Sequence, residues 1–281
     1  MASKALVLGG GGETARAWEI GLLWGLADDG LDLRDADLVI GTSVGAILGA
    51  QLGAGADLER LFEDELAGAG PGAETRRSRW IAMRLAVECR RTGDPVRHRS
   101  RVGALARTAE VPEAVRRLAT IRTRLPAREW PSQRLLVAAV DAGSGEFVAF
   151  DRDCGVSLTE ALAAGNAAPG EWAPVELYGR FWIDGAIRST TNADLAAGVD
   201  RVLVLAPNPS GHGVMPAVAD QVARLRDSSK VLLVVPGRAI RRAVRHDPHV
   251  HRGRALRASA ARAGRLQATQ VLPEITRLWH D

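Results

Sequence analysis

Leu6-Val7-Leu8 is a short apolar run that stops at four glycines, Gly9 to Gly12, after which Ile20, Leu23, Trp24 and Ala27 recur at helical spacing. The pattern predicts a strand, a glycine loop and a helix. Leu38-Val39-Ile40 repeats it, running into Gly41-Thr42-Ser43-Val44-Gly45 and a second helix. Two strand-loop-helix units in succession argue for a parallel sheet with crossover helices. From Asp57 to about Pro131 the strand signal disappears, and helix-like pieces alternate with breaks at "AGAGPGAE", "TGDP" and "EVPE". This predicts a helical insertion at about 57–131. The sheet resumes with "RLLVAAVDA" and "FVAFD" as a hairpin, the helix-like "SLTEALAAG", two β-rich runs divided at Gly179-Arg180, and buried strands "RVLVLAP" and "VLLVVPG" flanking the helix-like "PAVADQVARLRDS". The expected fold is a three-layer α/β/α sandwich with a mainly parallel central sheet. It forms one domain over 1–281, with arginine-rich C-terminal helices at about 238–281.

A chain of 281 residues can bury a substantial core. Cys89 and Cys154 are too few for a disulfide framework, and "MASKALVLGGGG" lacks the basic and apolar segments of a secretory leader, so a cytoplasmic protein is expected. The net charge of +4 is unevenly spread. From Arg76 to Arg134 sixteen arginines face five acidic residues, a surplus of eleven, and from Leu232 to Arg265 nine arginines face Asp247 alone. Such segregation can steer anionic partners, although solvated helix faces in an arginine-rich sequence are the plainer account. No repeat, zinc-ligand spacing or heptad is present.

Residues 38–56 carry no charge and approach the ~20 residues of a membrane span. Five glycines, with Thr42, Ser43 and Gln51, instead favour a buried strand, turn and helix. Gly41-x-Ser43-x-Gly45 between strand and helix is the nucleophile-elbow pattern: small flanking residues let the chain turn sharply and project the hydroxyl. A packing role for the glycines alone is the plainer alternative.

A serine needs a base. His212 lies downstream of Asp184, which leaves a Ser43-Asp184-His212 triad as one alternative. Asp184 itself ends the strand-like "RFWI" ahead of Gly185-Ala186, a position near the carboxyl ends of strands where sites of α/β sheets gather. Taken alone, that triplet reads as an aspartate closing a strand in a turn. Backbone N–H groups of Gly10, Gly11 and Gly12, near a helix N-terminus, are suited to hold an oxyanion. The same glycines with Ala15 fit a dinucleotide-binding turn, but the second strand ends in Ile40-Gly41 where an acidic residue is required, and no Gly-Lys-Ser/Thr of a P-loop follows.

Together, "LVLGGGGETARAWEIGLL", "GTSVGA" and "WIDGAIRSTTNADLAAGVDRVLVLAP", in that order, resemble the patatin-like phospholipase family over about residues 4–55 and 133–207. The resemblance implies a lipid acyl hydrolase with a Ser43 nucleophile and an Asp184 general base, without metal, histidine or other cofactor. Gly10, Gly11 and Gly12 would then form the oxyanion hole. The chain departs from the family where a cation commonly follows the third glycine: Thr14 and Ala15 stand there, with Arg16 as a displaced candidate for anion contact. It departs again at Gly165, Asn166 and Glu171. A lipid or ester is the expected partner, with peripheral membrane contact through the arginine-rich segments, where Trp80, Ile81 and Met83 would touch acyl chains. Nucleic acid is not expected. A lipid-binding or regulatory member without turnover, and more remotely a dinucleotide-dependent oxidoreductase, are the alternatives.

Overall fold

The structure, a computed structural model, describes residues 2–68, 79–88, 90, 93–111, 114–246 and 253–281, with backbone only at 79–82, 86 and 243–246. Strand β1 (Lys4–Leu8) leads through the glycine loop into α1 (Gly12–Asp28), and β2 (Leu38–Gly41) leads through Ser43 into α2 (Val44–Gly53). Four helices follow: α3 (Leu58–Ala67), α4 (Arg79–Glu88), α5 (Pro95–Arg107) and α6 (Ala114–Arg124). They occupy the stretch expected as an insertion. Asp57 and Asp94 cap α3 and α5, accepting the first-turn N–H groups of Glu59, Arg60 and Arg97. Then come β3 (Arg134–Asp141), β4 (Phe147–Phe150), α7 (Leu158–Gly165), β5 (Val175–Leu177), β6 (Arg180–Asp184), β7 (Arg201–Leu205), α8 (Val218–Leu225), β8 (Lys230–Val234), α9 (Arg238–His246) and α10 (Gly253–His280).

One sheet holds all eight strands in the order β5-β6-β3-β2-β1-β7-β8, with β4 paired to β3. The run β3-β2-β1-β7-β8 is parallel throughout. β4, β5 and β6 are antiparallel to their neighbours. Residues 38–56 are therefore a sheet strand and a buried helix. Among the described residues no helix is long and apolar enough to cross a membrane.

The layers follow from strand alternation. In β1, Leu6 and Leu8 join the core beneath α1, α2 and α10, whereas Ala5 and Val7 join the opposite core, formed with Val218, Val222 and Leu225 of α8. A third, smaller cluster places Leu85, Val102 and Ala106 of α4 and α5 on Val140 and Ile183 of the sheet. Helix α10 lies directly on α1. A Cβ at Gly264 would come within 2.2 Å of the Trp18 carbonyl oxygen, so only glycine permits this approach.

Candidate active site

The turn after β2 is shaped by sterics. Ser43 has φ 54° and ψ −126°, a conformation that costs a non-glycine residue of order 1–3 kcal/mol and persists only where the surroundings enforce it. Its neighbours explain how. A Cβ at Gly41 would stand 2.2 Å from Ala46 Cα, and one at Gly45 would stand 2.4 Å from the Leu8 carbonyl oxygen. Both glycines thus let α2 fold back onto the ends of β1 and β2. Ser43 is the N-cap of α2, so its hydroxyl lies at the positive end of the helix.

Ser43 Oγ donates a 2.7 Å hydrogen bond to Asp184 Oδ2, across 141 residues of chain. The other carboxylate oxygen accepts the Ala186 N–H at 2.8 Å, and Asp184 N–H donates to the Ala167 carbonyl at 3.1 Å. Burial pushes the Asp184 carboxyl up to about 6. The bonds from Ser43 and Ala186 and the charge of Arg117 oppose that rise, and Glu171 reinforces it. Asp184 reaches the serine by a route other than the one strand polarity suggests. β6 runs antiparallel to β3, but it pairs only with the far end of that long strand. The register Ala139↔Asp184 lies just beyond Val137↔Gly41, so the aspartate arrives at the carboxyl end of β2. Gly185 makes room: a Cβ there would be 2.4 Å from the Ala138 carbonyl oxygen.

The glycine loop lies against the same turn, and a Cβ at Gly10 would be 3.2 Å from Ser43 Cβ. The N–H of Gly10 donates to the Thr190 carbonyl at 2.8 Å, so it is committed within the fold. Gly11 is the N-cap of α1 and Gly12 its first residue; among the described residues neither N–H has an acceptor. Beneath the loop, Glu19 accepts the Gly9 N–H at 2.8 Å, and complete burial holds its carboxyl well above the usual range.

Several participants carry no sequence signal. Asn192, fully buried with φ 49°, donates through Nδ2 to Thr42 Oγ1 at 3.0 Å and to the Ser189 carbonyl at 3.0 Å. It ties the residue before Ser43 to the loop after Asp184. Arg117 of α6 is buried, and its guanidinium lies 4.8 Å from the centre of the Trp172 ring. Arg124, two turns further along α6, donates to Glu13 Oε1 at 2.7 Å. A neutral side chain at any of these helix positions would have left the same apolar pattern.

Two candidate residues lie away from the Ser43–Asp184 pair. Arg16 does not face an anion site: it is buried, with one guanidinium nitrogen 2.6 Å from Glu65 Oε1 and the other 2.9 Å from Gln51 Oε1. Arg257 of α10 donates to the same glutamate, so Arg16 belongs to a packing cluster between helices. His212 is exposed in the loop after β7, where its charge bears on His98; the serine meets Asp184 directly. Thr14 and Ala15 are buried in α1, and Gly165 and Asn166 are buried at the end of α7. Glu171 is half-buried and acts on Asp184 through its charge. Among the described residues no three histidine, cysteine or acidic side chains cluster as metal ligands.

Fold and site together define a class of protein: a three-layer α/β sheet that holds a strained strand-to-helix serine against a buried carboxylate. The family model described as "Patatin-like phospholipase" matches residues 6–197, and the chain belongs to that family. Among solved structures, VipD from Legionella pneumophila is similar at 13% identity and a TM-score of 0.47, over 97% of this chain and 67% of that one. The type III effector protein ExoU is similar at 14% identity and a TM-score of 0.41; the match covers 96% of this chain, which spans 53% of ExoU. No curated protein sequence matches significantly.

Proposed function

We propose that the protein is a lipid acyl hydrolase, a carboxylic ester hydrolase that cleaves fatty-acyl esters through Ser43 and Asp184. The observation that carries this reading is the 2.7 Å bond between a hydroxyl held at a strained turn and a buried carboxylate. Ser43 Oγ attacks the acyl carbonyl as its proton passes to Asp184 Oδ2, which then delivers it to the departing alkoxide. The acyl group rests on Ser43 until a water, deprotonated by Asp184, releases the fatty acid and restores the hydroxyl. Donors for the oxyanion are the N–H groups of Gly11 and Gly12 at the start of α1. Gly10 joins them only by leaving Thr190.

Family membership and the insertion support lipid as the partner. Met83 and Val87 lie one turn apart on α4, are 61% and 53% exposed, and border a groove of about 520 Å³ with Arg84, Arg101 and Leu105. Exposed apolar residues interleaved with arginine suit peripheral contact with an anionic bilayer. The side chains of Trp80 and Ile81 lie outside the described residues.

The test is hydrolysis of p-nitrophenyl esters over a range of chain lengths, together with covalent labelling by a fluorophosphonate. Wild type is expected to turn over and to label at Ser43, whereas Ser43→Ala and Asp184→Asn lose at least about a hundredfold in rate. Folded wild type that neither labels nor hydrolyses would overturn the hydrolase reading.

A further inference from the structure

We propose that Arg117 is a positioning residue for the Ser43–Asp184 pair: helix α6 sets a buried guanidinium on Trp172, in the loop whose Ala167 carbonyl accepts the Asp184 N–H, and its charge keeps the Asp184 carboxylate ready to accept the serine proton. The inference rests on the hydrolase reading above.

Arg117 is only 6% exposed, and its Nε has no hydrogen-bond partner. A buried arginine usually meets carboxylates directly, as Arg16 and Arg257 do on Glu65 in this protein. Arg117 has no ion-pair partner among the described residues. Its guanidinium instead rests on the Trp172 ring, at 4.8 Å from the centroid, in the loop that follows α7. The charges that reach it are Asp184, Glu171 and Glu13, which are attractive, and Arg124, which repels. Burial is the largest influence and lowers its pKa to about 10, so Arg117 still carries its proton at neutral pH.

The separation from Asp184 matters chemically. A carboxylate paired directly with arginine is a poor base, because its pKa falls by about one to three. One buried beside a glutamate with no cation ionises only at higher pH, and accepts the serine proton over a narrower range. Asp184 is exposed to both influences: burial and Glu171 act against ionisation, while the Ser43 and Ala186 bonds and Arg117 favour it. Arg117 acts through space and leaves Oδ2 available to Ser43.

The anchoring of α6 fits this role. Arg117 and Arg124 are seven residues apart, on one helix face. Arg124 is fastened to Glu13, beside the glycine loop, so the helix that bears the charge is pinned next to the oxyanion donors. Trp172 beneath the guanidinium and the Arg124–Glu13 pair further along α6 together hold the helix face that carries it.

The experiment is the pH dependence of kcat/KM for p-nitrophenyl butyrate in wild type, Arg117→Met, Arg117→Lys and Trp172→Leu. Arg117→Met is expected to move the acid limb upward by about 0.5–1 in pH, costing roughly 2- to 5-fold at pH 6 and under about 2-fold at pH 8.5. Arg117→Lys restores the limb, and Trp172→Leu, which removes the platform and keeps the charge, moves it the same way by less. Equal losses at both pH values with an unmoved limb would overturn the proposal and leave Arg117 a packing residue. A readout independent of turnover is the ¹³C-carboxyl titration of Asp184 in a Ser43→Ala background. If wild type hydrolyses nothing, the hydrolase reading falls, and this titration still decides the coupling: an upward shift on adding Arg117→Met supports it, and no shift refutes it. Should Arg117→Met fail to fold, Trp172→Leu decides by the same two measurements.

Discussion

Asp184 is held at odds with its surroundings, and its cost to the fold is the same property that suits it to be a base. An aspartate raised from 3.8 to about 6 by burial takes up a proton more readily folded than unfolded. Its stabilising contribution is therefore complete below pH 3.8 and is lost as pH rises through about 6. Asp184→Asn is accordingly expected to be more stable than wild type at pH 8, by about 2–3 kcal/mol, and to show little gain at pH 4. Urea denaturation at the two pH values measures this, and an equal effect at both would show that the carboxyl is not strained by burial. In the proposed mechanism only ionised Asp184 accepts the Ser43 proton, so ester hydrolysis should rise with pH along a limb centred near 6. A flat profile between pH 5 and 8 would place the base elsewhere. Ser43 is legible in the chain because a sharp turn demands flanking glycines, whereas Asp184 is legible only through the order of the motifs around it, since its own triplet reads as a turn. Arg117 is not legible. It stands beside exposed Arg116 in an arginine-rich run, and only packing distinguishes the buried guanidinium from the solvated one.

Among the elements, the close contact between α2 and β1 helps to fix the site. Gly45→Ala would set a methyl group 2.4 Å from the Leu8 carbonyl oxygen and 2.7 Å from that of Gly9. Overpacking of this kind costs about 1–3 kcal/mol, and here the strain falls between the nucleophile and the glycine loop. The variant should melt earlier and label more slowly with fluorophosphonate. Gly237→Ala, where an added Cβ meets nothing within 4 Å, is the matched control. A Gly45→Ala protein that labels at the wild-type rate would mean that the elbow tolerates displacement from β1. The apolar pattern shows the strands and the principal helices, since alternation and helical spacing record which faces are buried. It does not show that β6 is antiparallel, because polarity depends on the connection: Tyr178 and Gly179, both at positive φ, close a tight turn that sends β6 back along β5.

For the molecule as a whole, charge segregation gives a measurable expectation. The described insertion exposes Arg84, Arg97, Arg107, Arg116 and Arg122 together with Met83, Val87, Val96 and Val115. Binding to vesicles rich in phosphatidylglycerol should exceed binding to phosphatidylcholine vesicles and weaken between 0.1 M and 0.5 M salt, where the screening length falls from about 10 Å to roughly half of that. Co-sedimentation tests it, and equal, salt-independent binding to both vesicles would assign the arginines to solvent.

β1 sits in the middle of the sheet, with β2 on one side and β7 on the other. It is the keystone of two unequal halves. The larger, β5-β6-β3-β2, contains both Ser43 and Asp184, while the smaller, β7-β8, contains neither. The proposed nucleophile and base thus belong to one slab, and the glycine loop with its proposed oxyanion donors belongs to the strand between the slabs. Any shear at the β1–β2 seam would leave the proton path intact and carry the oxyanion donors away from it, so activity can be lost without the dyad coming apart.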